Sequence, residues 1–95
     1  MTLIINAHIH AVPEQRDALK AELEKLLPPT RAEAGCHFYE LHVDHADENH
    51  FMFHESWVSK DALNTHMASD HIKAFGAATK GMVASFKMYE MEKLG

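Results

Sequence analysis

From Phe51 to His71 the chain reads Phe-Met-Phe-His-Glu-Ser-Trp-Val-Ser-Lys-Asp-Ala-Leu-Asn-Thr-His-Met-Ala-Ser-Asp-His, and its periodicity changes from strand to helix within that stretch. Phe51, Phe53, Glu55 and Trp57 fall on one side of a strand, and Met52, His54, Ser56 and Val58 on the other. Neither side is plainly wet, so both need covering. Ser59 then offers an N-cap, and Leu63, His66 and Met67 recur at helical spacing. Ser69 and Asp70 offer a second cap before Ile72 and Phe75. On one continuous helix His71 would lie about 140° from His66, so the two converge only if the chain breaks at Ser69. A strand feeding two short helices therefore gathers Glu55, Trp57, His66 and His71 into one candidate pocket wall.

On the N-terminal side, Leu3 to Val12 alternates an apolar face (Leu3, Ile5, Ala7, Ile9, Ala11) with a mixed one carrying Asn6, His8 and His10, which reads as a strand. Pro13 suits a helix start, and Leu19, Leu23, Leu26 and Leu27 form an amphipathic stripe. Pro28 and Pro29 stop or kink that helix before it resumes at Thr30 to Glu33, and Gly35 ends it. Cys36 to Asp44 reads as a second strand, joined to the third by a hairpin loop at His45 to Asn49. On the C-terminal side Gly81 punctuates, and Met82 to Met91 alternates as a fourth strand.

The order is strand, helix, strand, strand, helices, strand. This is an α+β, ferredoxin-like split βαβ arrangement in a single domain spanning residues 1–95: a four-stranded antiparallel sheet with helices on one face. The other face is left bare, with Tyr39, Leu41, Val43, Met52 and Val58 or their alternates expected on it. A second copy of the sheet is the usual cover, so the sequence predicts a symmetric homodimer.

With 46% hydrophobic residues the chain is too apolar for disorder, and its 95 residues make one thin core. A formal charge of −5 with no basic stripe argues against nucleic acid and anionic membrane surfaces as partners. No run of about 20 apolar residues appears and the start lacks a leader pattern, so a cytoplasmic protein is expected. The single Cys36 has no internal disulfide partner and reads as a small buried hydrophobe. The nine histidines are an unusual load. If about half of them were protonated near their ordinary pKa of about 6.5, the net charge would approach zero and solubility should fall.

Among groups able to do chemistry, Glu55 beside Phe53 and Trp57 is costly unless paired, and as an acid or base it needs a pKa raised by burial. The bland alternative is a structural ion pair. His66 shares its helix face with Leu63 and Met67 and is either a proton acceptor at a pocket rim or a satisfied core histidine. Trp57 is either a core aromatic or a flat wall for a ring-shaped ligand. His8-x-His10 with a third strand histidine, His42 or His54, could ligate zinc or iron, but no diagnostic metal spacing is present, and none is assigned. Phosphate-cradling loops and serine nucleophile elbows are absent too.

These residues resemble the antibiotic biosynthesis monooxygenase domain, in particular its small quinol monooxygenases. The pattern is Glu33-x-Gly35-Cys36-x-x-Tyr39, then Glu55-x-Trp57-x-Ser59, Leu63, His66, His71-x-x-Ala74-Phe75 and Lys80-Gly81, in that order. The resemblance implies a dimeric α+β barrel with a pocket between sheet and helices in each subunit. It also implies oxidation of a quinol-like or phenolic molecule by molecular oxygen without a cofactor. In that picture His66 or His71 is the base or anion-stabilising donor, Trp57 and Phe53 sandwich the ring, and Asn6 or His8 orients an oxygen. Similar proteins that degrade haem carry a helix Trp where this chain has His66, and a later His near Gly76, so haem chemistry is not expected. Others isomerise a small phosphorylated signalling sugar. A non-catalytic module that binds small aromatics or dimerises is the remaining alternative.

Overall fold

The computed structural model describes residues 2–95. Four strands and four helices follow in the order β1 (Leu3–Ala11), α1 (Arg16–Lys25), α2 (Leu27–Arg31), β2 (Cys36–Val43), β3 (His50–Trp57), α3 (Lys60–Met67), α4 (Asp70–Ala78) and β4 (Val83–Met91), with a 3-10 turn at Pro13–Gln15. The strands pair antiparallel in the order β2-β3-β1-β4. This is the α+β, ferredoxin-like architecture that the alternation and helix patterns predict.

Register decides which side chains meet the helices. Ile5 pairs with Glu55, Ala7 with Phe53 and Ile9 with Phe51, and the next strand adds Met88 beside Ala7 and Phe86 beside Ile9. Leu19, Leu23 and Leu63 from the helices close over this face and are fully buried. The predicted caps form: the Ser59 and Ser69 hydroxyls accept from the backbone N–H of Ala62 and Ile72 at 3.1 and 3.4 Å. The helix does break, at Leu26, just before Pro28 and Pro29 rather than after them. They occupy the first positions of α2, where a missing N–H removes no bond.

Two expectations need correction. Tyr39, Leu41 and Val43 do not face the bare side; they pair with Glu55, Phe53 and Phe51 and point under the helices, with Tyr39 buried. The cause is an irregularity between Cys36 and Phe38, which puts one extra residue opposite Ser56 and inverts the alternation of β2. Gly35 is not required by a left-handed backbone, since Gly81 is the glycine with positive φ among the described residues. It is required by proximity, because a Cβ there would overlap the Ala62 Cβ of α3.

The outer sheet face carries Asn6, His8 and His10 of β1, Met52 and His54 of β3, and Lys87, Tyr89 and Met91 of β4. Among the described residues no helix is long and apolar enough to cross a membrane.

Candidate active site

A cavity of about 290 Å³ lies between the sheet and the helices. Its floor centres on Ala7, whose methyl side chain leaves room between Phe53 and Met88 on the neighbouring strands. Leu23 of α1, Leu26 just past its end, and Ile72 and Phe75 of α4 supply the opposite wall. At its open edge stand Met67 and Phe86, both large apolar side chains exposed to solvent. Only three lining side chains are polar, namely Tyr39, Glu55 and His66. They lie together, since Tyr39 pairs with Glu55 across β2 and β3 and its ring stands 5.5 Å from that of His66. An apolar hollow with one polar end suits a small, largely aromatic or aliphatic molecule that carries a single polar group.

Local sequence builds that polar end. β3 carries Glu55 inward, and Trp57, two residues on, points the same way. The Trp57 indole N–H donates to Glu55 Oε1 at 2.9 Å. Burial is the main cause that lifts the Glu55 carboxyl from the ordinary carboxylate range to about 7; the indole hydrogen bond opposes it, and the Glu33 charge adds to it. Glu55 can therefore give or take a proton near neutrality.

Burial, again the largest cause, holds His66 below the ordinary imidazole value, against the pull of Glu33. Burial thus favours the neutral ring. Its Nδ1–H donates to Glu33 Oε2 at 2.7 Å, which leaves Nε2 as the unprotonated nitrogen. The same carboxylate oxygen accepts from His71 Nε2–H at 2.9 Å. The chain does break at Ser69, whose hydroxyl donates to the His66 carbonyl at 2.6 Å, and the two imidazole rings converge to 5.8 Å. Burial and the nearby Glu55 charge push the Tyr39 hydroxyl up, so it stays a neutral donor. The Cys36 thiol is pushed up by burial and by Glu33 and Glu55, which makes it no nucleophile.

The structure brings together only part of the set expected from the sequence. Glu55, His66 and Phe53 line the cavity. His71 reaches Glu33 from outside the lining. Trp57 is no cavity wall. It is fully buried, because α3 covers that end of β3, and it stacks behind His66 with ring centroids 4.7 Å apart. A ring sandwiched between Trp57 and Phe53 is therefore ruled out.

Asn6 and His8 lie on the opposite face of the sheet and cannot orient a molecule in this cavity, because strand alternation sends them away from Ala7. There Asn6 Oδ1 accepts from His54 Nδ1–H at 2.7 Å, and His8 Nδ1 meets His50 Nε2 at 2.8 Å. Two contributors escaped the functional reading of the residues, Glu33 and Tyr39. Glu33 stood in the quoted Glu33-x-Gly35-Cys36 pattern. Its signal was the glycine, since the close approach of Gly35 to α3 brings the Glu33 turn up to His66.

Residues 2–78 match the sequence profile described as antibiotic biosynthesis monooxygenase. A protein named probable quinol monooxygenase YgiN, from Escherichia coli K12, is 33% identical over 91 residues, covering 85% of this chain and 88% of that one. A Synechocystis protein, sll1783, is 24% identical over 94% of this chain, which spans 63% of that protein's length. The crystal structure of PA3566 from Pseudomonas aeruginosa superposes with a TM-score of 0.95 at 34% identity, over 99% of this chain and 95% of that one. With the match running through most of the chain and the polar pattern seated at one cavity, the chain belongs to the antibiotic biosynthesis monooxygenase family.

Proposed function

We propose that this chain is a monooxygenase that oxidises a quinol-like or phenolic small molecule with molecular oxygen, drawing on no cofactor. The observation that carries this reading is His66, tied through Nδ1 to Glu33 and set at the polar end of an otherwise apolar cavity. His66 Nε2 takes the phenolic proton, and Glu33 stabilises the imidazolium that forms. The Tyr39 hydroxyl and protonated Glu55 donate to the anion left behind. That electron-rich ring transfers one electron to oxygen, and the two radicals join in a carbon–oxygen bond to give a peroxide. Protonation by the imidazolium completes a hydroperoxide; its O–O bond then breaks as the ring carbon loses hydrogen, and water leaves. The balance is one phenol and one oxygen molecule giving one quinone and one water, with all four electrons taken from the substrate and none from the protein. The apolar walls keep water from the anion.

The test is oxygen uptake by metal-stripped protein with a panel of hydroquinols and phenols, alongside Glu55→Leu, which removes the donor, and His66→Ala. Quinone formation that both substitutions suppress is the expected result. Turnover unchanged in His66→Ala removes the base and with it this mechanism. The proposal includes a cytoplasmic homodimer in which a second copy covers the outer sheet face, where Tyr89 and Met91 are exposed. Sedimentation at a mass of one chain across micromolar concentrations would overturn that part.

A further inference from the structure

One oxygen of Glu33 accepts hydrogen bonds from two imidazoles that come from different helices. His66 lies in the last turn of α3, His71 in the first turn of α4, and Glu33 in the turn before β2. Glu33 Oε2, His66 Nδ1 and His71 Nε2 all lie within 4.8 Å of one another, the one such set of three possible metal ligands among the described residues. The histidines on the outer sheet face, for all their number, form no such set there. We propose that Glu33, His66 and His71 bind one divalent first-row transition-metal ion of the zinc class, in place of the two hydrogen bonds.

The ligand chemistry fits, since two imidazoles and a carboxylate make a familiar three-residue set for such ions and leave positions open for water. The spacing fits as well. Ligand atoms about 2.1 Å from a tetrahedral ion stand about 3.4 Å apart. The carboxylate contacts at 2.7 and 2.9 Å are shorter than that and no separation exceeds 4.8 Å, so side-chain rotation alone can adjust the set. The ion would sit on the Nδ1 side of His66, away from the cavity that the ring lines, and Glu33 and His71 are partly open to solvent there.

One consequence rests on the proposed base role. With an ion on Nδ1, the single hydrogen of the neutral His66 ring resides on Nε2, so the cavity meets a donor where it had met an acceptor. Metal occupancy then blocks proton abstraction.

Titration of untagged, metal-stripped protein with Co²⁺, followed by its visible absorption and by calorimetry, tests the site. The expected result is one ion per chain, with affinity weakened on the order of 100-fold in Glu33→Gln and His71→Ala, and retained in His50→Ala. Circular dichroism checks that each variant is folded, and the partly exposed His71 gives the safer substitution. Unchanged affinity in both Glu33→Gln and His71→Ala, or loss in His50→Ala alone, overturns the site. Zn²⁺ added to turning-over protein should abolish oxygen uptake, and a chelator should restore it. Binding that leaves uptake unchanged overturns the blocking role. Binding to a protein inactive when metal-free upholds the site and sinks the base reading instead.

Discussion

The two faces of this sheet carry histidines in opposite circumstances. Under the helices, His66 is buried among apolar side chains and tied to one carboxylate that it shares with His71. On the outer face His8, His10 and His50 lie against one another: His10 stacks on His50 with ring centroids 4.3 Å apart, and Asp44 accepts from His50 Nδ1–H at 3.0 Å. Residue type is the same on both sides, and what surrounds it differs. A base needs a neutral ring, a fixed tautomer and a dry space before it, and only the covered face supplies all three. The outer cluster supplies a tautomer through Asp44, but within this chain it faces a hollow of about 270 Å³ whose walls are largely polar, with Ser85, Lys87 and the histidines beside Phe86 and Tyr89.

The largest expected effect breaks or upholds that contrast directly. His66→Ala should lower turnover by about 10² to 10⁴, the usual worth of a positioned base, while His8→Ala leaves the rate per folded chain within about twofold. Equal losses in the two variants would erase the distinction between the faces. Next in size is the pH dependence of stability set by Glu55. Its folded pKa of about 7 stands above the ordinary 4.5, so the native state holds a proton that the unfolded state releases. Its contribution is fully present below pH 4.5 and is lost as pH rises toward 7, after which both states are ionised. That raised value corresponds to about 3 kcal/mol, at about 1.4 kcal/mol for each pH unit. Urea unfolding between pH 4.5 and 8 checks it, with Glu55→Gln expected to flatten the decline. A decline of the same size in Glu55→Gln assigns it to other groups.

A smaller effect concerns how the covered face acquires its carboxylate. Gly35→Ala places a Cβ against that of Ala62, which cannot rotate away, so the Glu33 turn and α3 must separate. The expected cost is about 1–3 kcal/mol, and Ala62→Gly in the same chain should recover most of it. Thermal unfolding reads this as a drop of about 4–8 °C for each kcal/mol. No drop in Gly35→Ala would show that the approach is looser than the structure has it.

The same glycine marks a contact that local sequence does not reveal. Alternation and helical spacing give every strand and the two capped helices, and the Ser69 cap is enough to foresee that His66 and His71 converge. Local period shows that a strand has two faces, but not which face the helices take. Alternation is therefore silent on whether Asn6 and His8 reach the pocket, from which the sheet separates them. In β2 one extra residue near His37 inverts the pattern and carries Tyr39 inward, and no composition signal announces such an insertion. Glu33 lies 33 residues from His66 and meets it through a tertiary contact, which a periodicity reading cannot reach. Trp57 does lie near His66, but behind it, since burial depth depends on how α3 lies across β3.

The smallest effect sharpens the contrast from the covered side. That face should bear no idle polar atom, because a buried hydroxyl without a partner costs about 1–3 kcal/mol. Thr30 is the exception: it is fully buried in α2, and its Oγ1 is the one buried side-chain polar atom without a hydrogen bond partner among the described residues. The Tyr39 hydroxyl is the group that a Thr30 hydrogen bond would reach, but the two hydroxyls do not stand in full bonding geometry. Valine has the same shape without the hydroxyl, so Thr30→Val should change stability by less than about 1 kcal/mol and in the stabilising direction. Urea denaturation measures this. A loss above about 1.5 kcal/mol would mean that the hydroxyl is bonded after all. The natural partner is then Tyr39, and the polar end of the cavity would extend one residue deeper, from His66 through Tyr39 into α2.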